Sequence, residues 1–144
     1  MDTAAARGLF ESKYWGQYHC VRHAAPRLGS DGSVVLFSGW MSRKPMVGTS
    51  APAAVDAAVE ALTRVLSLEL APVRVNAVTP GMIDTPLWRA RLSADEQRAF
   101  FERIGRDLPA GRPGTADDVA HAVQFLLENG FTTGAVLDVD GGQR

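Results

Sequence analysis

The sequence predicts an α/β fold, a partial, doubly wound parallel sheet of about three strands with flanking helices in one domain, residues 1–144. Three observations predict it. Residues 33–38 are a short, continuously apolar, β-branched run that suits a strand buried on both faces, and residues 73–78 and 135–139 are further short, valine-rich runs that read as strands. The segments between them carry apolar residues at helical spacing. The order strand, helix, strand, helices, strand is that of βαβ units joined by right-handed crossovers.

Taken in order, residues 3–25 place Phe10, Tyr14, Tyr18 and Val21 on one helical face and stop against Pro26. A turn-like stretch, residues 27–32, leads into the first strand. After a loop over residues 39–49, Ser50 is expected to cap a helix with Pro52 in its first turn, where a missing N–H costs little. That helix should run to about Ala71, with Val55, Val59, Leu62, Leu66 and Leu70 as its apolar stripe and Glu60 pairing with Arg64 on another face. The second strand ends at Thr79, Pro80 and Gly81, and residues 82–88 read as a loop. Ser93 with Glu96, and Thr115 with Asp118, have capping-box spacing, so helices should begin near Ala94 and Ala116. Asn129 and Gly130 suit a left-handed helix end before the third strand.

With 46% hydrophobic and 22% charged residues the composition is that of a packed globular domain. A net charge of −1 gives no basic excess for nucleic acid or anionic lipid. No apolar run approaches a membrane span, and the first residues lack the apolar stretch of a signal peptide, so the expected location is the cytoplasm. A single cysteine, Cys20, forms no internal disulfide and fits a reducing compartment as a small hydrophobe. His19 and His23 lie one helical turn apart, but no second ligand cluster accompanies them, and no metal site is expected.

Residues 32–38 (GSVVLFS), 57–71 (AAVEALTRVLSLELA) and 73–86 (VRVNAVTPGMIDTP), followed by 111–119 (GRPGTADDV) and 133–142 (TGAVLDVDGG), resemble the short-chain dehydrogenase/reductase family in order and over almost the whole chain. The resemblance implies the C-terminal half of a Rossmann-like fold. The glycine-rich turn and the ribose-reading residue that the family places in its first half have no counterpart in this sequence, and about three strands with their helices are expected to be missing upstream. It also implies hydride transfer between NAD or NADP and a carbonyl or alcohol. In the family a tyrosine acts as acid/base beside a lysine one helical turn away, with a serine polarising the substrate oxygen.

By that resemblance the lysine position is occupied by Asp56, the tyrosine position by Pro52 and the serine position by Gly39, with Ser38 adjacent; the asparagine of the family's central helix aligns with Lys13. The usual catalytic set is not retained. Ser38, Lys13 and Asp56 are the candidates for a rewired site; the plainer expectation is a strand-end hydroxyl bonded to backbone and two solvated helix charges. The turn at Pro80 and Gly81 is intact, and the resemblance implies that it lines the nicotinamide pocket, with Ile83 offering backbone groups and Thr85 a hydroxyl.

Two functions follow as expectations. One is an oxidoreductase with altered catalytic groups; the other is a non-catalytic binding or scaffold protein that keeps the architecture for association. The resemblance implies a homo-oligomer through helices near residues 3–25 and 50–71. The strand at residues 33–38, left without its upstream neighbour, would present a bare apolar edge open to pairing with another chain.

Overall fold

A computed structural model describes residues 2–44 and 46–143, with the side chains of residues 89 and 90 outside the description. Met1, Pro45 and Arg144, and with them part of the expected loop and the expected start, lie outside the described residues.

The first helical segment is α1 (Thr3–Leu9), a wide π turn (Phe10–Trp15) and α2 (Gly16–Ala24), closed by a short 3-10 turn at Ala25–Arg27 that contains Pro26. Strand β1 (Ser33–Phe37) follows, then a 3-10 turn at Trp40–Ser42 and the long helix α3 (Ser50–Glu69). Strand β2 (Arg74–Pro80) is succeeded by a 3-10 turn at Pro86–Ala90, α4 (Ala94–Asp107), α5 (Ala116–Glu128) and β3 (Val136–Val139).

The strands form one parallel sheet in the order β1-β2-β3. Register pairs Val34 with Val75 and Leu36 with Ala77, so these four side chains share one face. There Val21 of α2 and Val59 and Leu66 of α3 complete a core, with Tyr14, Leu62 and Leu70 packed at its margin. Helix α5 covers the opposite face, where Leu126 is fully buried. Strand β2 is therefore covered on both sides, and Val75, Asn76, Ala77, Val78 and Thr79 lose essentially all exposure. Buried Asn76 spends its amide tying down the loop before β3: Nδ2 donates to Thr132 O at 2.8 Å, and Oδ1 accepts from the Ala135 N–H at 3.0 Å.

Both capping boxes form, at Ser93 with Glu96 and at Thr115 with Asp118. Two expected helix ends differ. Thr49, not Ser50, holds the cap position of α3, and Ser50 is already helical. Asn129 ends α5 in extended backbone (φ −72°, ψ 105°), and its side chain accepts from the Phe131 N–H, so no left-handed turn is needed at Gly130. The expected loop at residues 82–88 is also partly regular, because Ile83 forms a parallel bridge with Gly114.

Candidate active site

The C-terminal ends of β1 and β2 open onto a polar centre built by the π turn and α3. In the π turn the Gly16 N–H reaches back to Glu11 O, which widens the helix by one residue. Lys13 lies within this wide turn, and its ammonium forms an ion pair with Asp56 of α3. Asp56 is only 3% exposed, so the expectation of two solvated helix charges does not hold. The carboxylate stands over Gly39: a Cβ there would lie 2.6 Å from Asp56 Oδ2. Only a residue without a side chain leaves room for it.

Ser38, at the end of β1, donates its hydroxyl to the backbone carbonyl of Asp56 at 3.0 Å. One turn further along α3, buried Glu60 accepts from Ser42 Oγ at 2.5 Å and pairs with Arg43 at 3.3 Å and Arg64 at 3.4 Å. Arg43 continues to Asp138 of β3 at 2.6 Å, and Asp138 also accepts from the Thr79 hydroxyl. Lys44 pairs with Asp140 at 2.7 Å. Burial pushes the Asp140 carboxyl up, but hydrogen bonds from Lys44 and the Gly142 N–H outweigh it and hold the group below its ordinary value. The loop after β1 is thus tied by charge to α3 and to the end of β3.

Glu60, Ser42, Arg43 and Asp138 were not predicted. A signal for part of this set was available: Asp56, Glu60, Thr63 and Ser67 follow helical spacing and are all buried, a polar stripe beside the apolar one. The pairing of Glu60 with Arg64 occurs, and Glu60 is buried.

Two hollows meet at this centre. A cavity of about 230 Å³ is lined by Lys13, Ser38 and Asp56 together with apolar Leu9, Trp40 and Pro52. A groove of about 730 Å³ runs between the end of the sheet and α5, lined by Pro80, Ile83, Thr85, Phe37, Val119 and Val123. Pro80 borders both. All three candidate catalytic residues come together in the first hollow, and Pro80, Ile83 and Thr85 in the second. Gly81 lies apart: a Cβ there would sit 2.7 Å from the Asp140 Cα, so its glycine serves the close approach of β2 to the chain after β3.

The groove between the sheet and α5 is the larger of the two hollows. Its walls are mostly apolar, and the Thr85 hydroxyl has no hydrogen-bond partner among the described residues. The Ile83 carbonyl is engaged by the Trp88 indole N–H at 3.0 Å, and the neighbouring Met82 and Asp84 carry the bridge to Gly114, which leaves the Ile83 N–H as the backbone group available there. Among the described residues no group of three or more His, Cys, Asp or Glu could hold a metal ion. Cys20 is exposed, not packed as a hydrophobe. No described helix is long and apolar enough to cross a membrane.

A parallel sheet with helices on both faces and a hollow at the carboxyl ends of its strands defines an open, Rossmann-like α/β protein. Comparison with known proteins narrows the class. The family model described as enoyl-(acyl carrier protein) reductase matches residues 1–144. An uncharacterized oxidoreductase of Schizosaccharomyces pombe is 36% identical over 138 residues, which are 93% of this chain and 52% of the relative. The crystal structure of a small-chain dehydrogenase in complex with NADPH superposes with a TM-score of 0.93 at 42% identity, covering 99% of this chain and 64% of that one. A short-chain oxidoreductase of Pseudomonas aeruginosa PAO1, described as containing an atypical catalytic centre, gives a TM-score of 0.90 at 29% identity, covering all of this chain and 60% of that one. The chain belongs to the short-chain dehydrogenase/reductase family, and it spans about half the length of the curated relatives it matches.

Proposed function

We propose that this chain forms the substrate side and the nicotinamide side of an NAD(P)-dependent oxidoreductase acting on a carbonyl or alcohol. The observation that carries the reading is the junction at Pro80, where a groove suited to a flat heteroaromatic ring adjoins a cavity holding the Lys13–Asp56 ion pair. A nicotinamide, when bound, supplies or accepts the hydride. The chain's own residues do the rest. Pro80 and the Ile83 side chain form the apolar wall of the ring's site, and the Thr85 hydroxyl and Ile83 N–H are placed to hold its carboxamide. Lys13 and Asp56 bring the only paired charges of the smaller cavity, and Ser38 holds the α3 backbone that carries Asp56. Trp40, Leu9 and Pro52 give the smaller cavity an apolar wall.

Unpaired cysteine supports a reducing compartment, the cytoplasm. Val65, half exposed, and Leu68, 79% exposed on α3, support association of copies through α1 to α3. The same exposed residues, together with Pro52 and Asp56 in place of tyrosine and lysine, favour a second reading, a non-catalytic scaffold acting through oligomerisation.

Calorimetric titration of the purified chain with NADPH and NADH, with its mass measured in solution, separates the two. Saturable binding that is lost in Thr85→Val and Ile83→Pro supports the oxidoreductase. A folded oligomer that binds neither dinucleotide favours the scaffold.

A further inference from the structure

The geometry points to Lys13 as the proton donor of the site, with Asp56 as its positioning residue and a small, uncharged, apolar carbonyl compound as the substrate class; the assignment rests on the oxidoreductase reading above. Three observations on this chain lead to it. The ammonium of Lys13 reaches the cavity from a π turn, whose extra residue aims the side chain across at α3 rather than along its own helix. Of the two partners only Lys13 meets solvent, its side chain being 30% exposed against 4% for Asp56, so only Lys13 can hand over a proton and recover one from water. Ser38, the hydroxyl at the cavity wall, is engaged within the protein, its Oγ lying 3.0 Å from the Asp56 carbonyl and 3.5 Å from Glu60 Oε1.

Gly39 shows that the pair is built into the site. The Asp56 carboxylate occupies the space a side chain at position 39 would need, which fixes Oδ2 over the strand end and leaves Oδ1 for Lys13. Among the described residues the cavity walls beyond the pair, Leu9, Trp40, Met41 and Val55, offer no second cation and no acceptor array. With Lys13 already neutralised by Asp56, an anionic substrate would find no net positive charge there, whereas a neutral carbonyl oxygen can accept one N–H without disturbing the pair. A volume of about 230 Å³ suits a compact body such as a six-carbon ring.

In the reductive direction the carbonyl carbon gains a hydride, the reductant being a reduced nicotinamide, and the electron pair of the C=O π bond moves to oxygen. The Lys13 N–H bond breaks as the O–H bond forms. Lysine is left as a neutral amine beside Asp56, and water returns its proton through the exposed side of the chain. The alcohol oxidation runs the same steps backwards.

The test uses the full chain with cyclohexanol and cyclohexanone as probes. Acylation of Lys13 by an amine reagent is followed by mass spectrometry with and without cyclohexanol, a readout that needs no turnover; protection of Lys13, with unprotected Lys44 as internal control, is the expected result. Because Lys13→Met alone strands a buried carboxylate and endangers folding, the kinetic comparison uses Lys13→Met/Asp56→Leu, which removes both charges, and Lys13→Arg, whose guanidinium keeps the charge but does not give up its proton. In both variants kcat for cyclohexanone reduction with NADPH should fall by about 10²–10⁴-fold. KM in Lys13→Arg should stay within a few fold, a split that a merely structural pair would not produce. Unprotected Lys13, or a double variant with kcat within threefold of the parent, overturns the assignment. Protection of Lys13 in a chain that binds no dinucleotide and turns over no ketone sinks the oxidoreductase reading instead, and with it the proton transfer.

Discussion

The Asp56 carboxylate is buried, and the cost is offset by Lys13, which reaches it from another helix. The pair is worth little as a net stabiliser, since desolvation cancels much of the attraction, but breaking it from one side is costly. Lys13→Met should destabilise the chain by about 2–4 kcal/mol, a value discounted from that of a fully buried pair because Lys13 retains solvent. The double variant Lys13→Met/Asp56→Leu should recover most of that loss. Urea denaturation of the single and double variants checks both, and equal midpoints would contradict it. Gly39→Ala belongs to the same scale: its methyl would displace the Asp56 carboxylate and loosen the pair without altering either charge.

Among the elements, α5 depends most openly on its first turn. Thr115 and Asp118 satisfy each other's backbone groups, and the Arg112 guanidinium adds two bonds to the Asp118 carboxylate at 2.7 and 2.8 Å. Those bonds from Arg112, then the backbone and hydroxyl bonds from Thr115, hold the Asp118 carboxyl well below the usual carboxylate range. A depressed folded value means that the contribution is fully present above the ordinary value of 3.8 and is lost as pH falls below it. The stability difference between the parent chain and Asp118→Asn should therefore be constant from neutral pH down to about pH 5 and shrink on further acidification. Chemical denaturation across that range measures it; a difference independent of pH would refute it. The π turn in the first helical segment shows the opposite relation, a local irregularity whose residue Lys13 pairs with Asp56 of α3.

At the scale of the molecule, the sheet ends at β1. Gly32 O, and the Ser38 N–H, bond to β2, so alternation turns the backbone groups of Val35 and Phe37 outward. The Gln17 side chain covers the second of these: Oε1 accepts from the Phe37 N–H at 2.7 Å and Nε2 donates to Phe37 O at 3.0 Å, as a neighbouring strand would. The edge is thus shielded at one end and open at Val35. Phe37, Phe125 and Leu127, each roughly half exposed, add apolar surface beside it. Gln17→Ala should leave the helix intact and increase self-association, read as a higher weight-average mass in sedimentation velocity at equal concentration. An unchanged mass would show that Gln17 does not protect the edge.

The sequence by itself determined the strands, the helices and their alternation, because short valine-rich runs bounded by turn residues favour strands and a helix against a sheet must repeat its apolar residues every three or four positions. It determined the capping boxes, whose two partners are neighbours in the chain. It also pointed to Lys13, Ser38 and Asp56, though only as departures from a family pattern. Tertiary structure alone decided that Lys13 meets Asp56 across 43 residues, that Asp56 is buried, and that Arg43 joins Glu60 to Asp138. A charged residue in a helix reads as solvated until its partner on another element is known, since burial of a charge depends on groups far away in the chain. The π turn and the extended end of α5 were hidden for the same reason: each follows from packing or a side-chain bond that overrides local propensity.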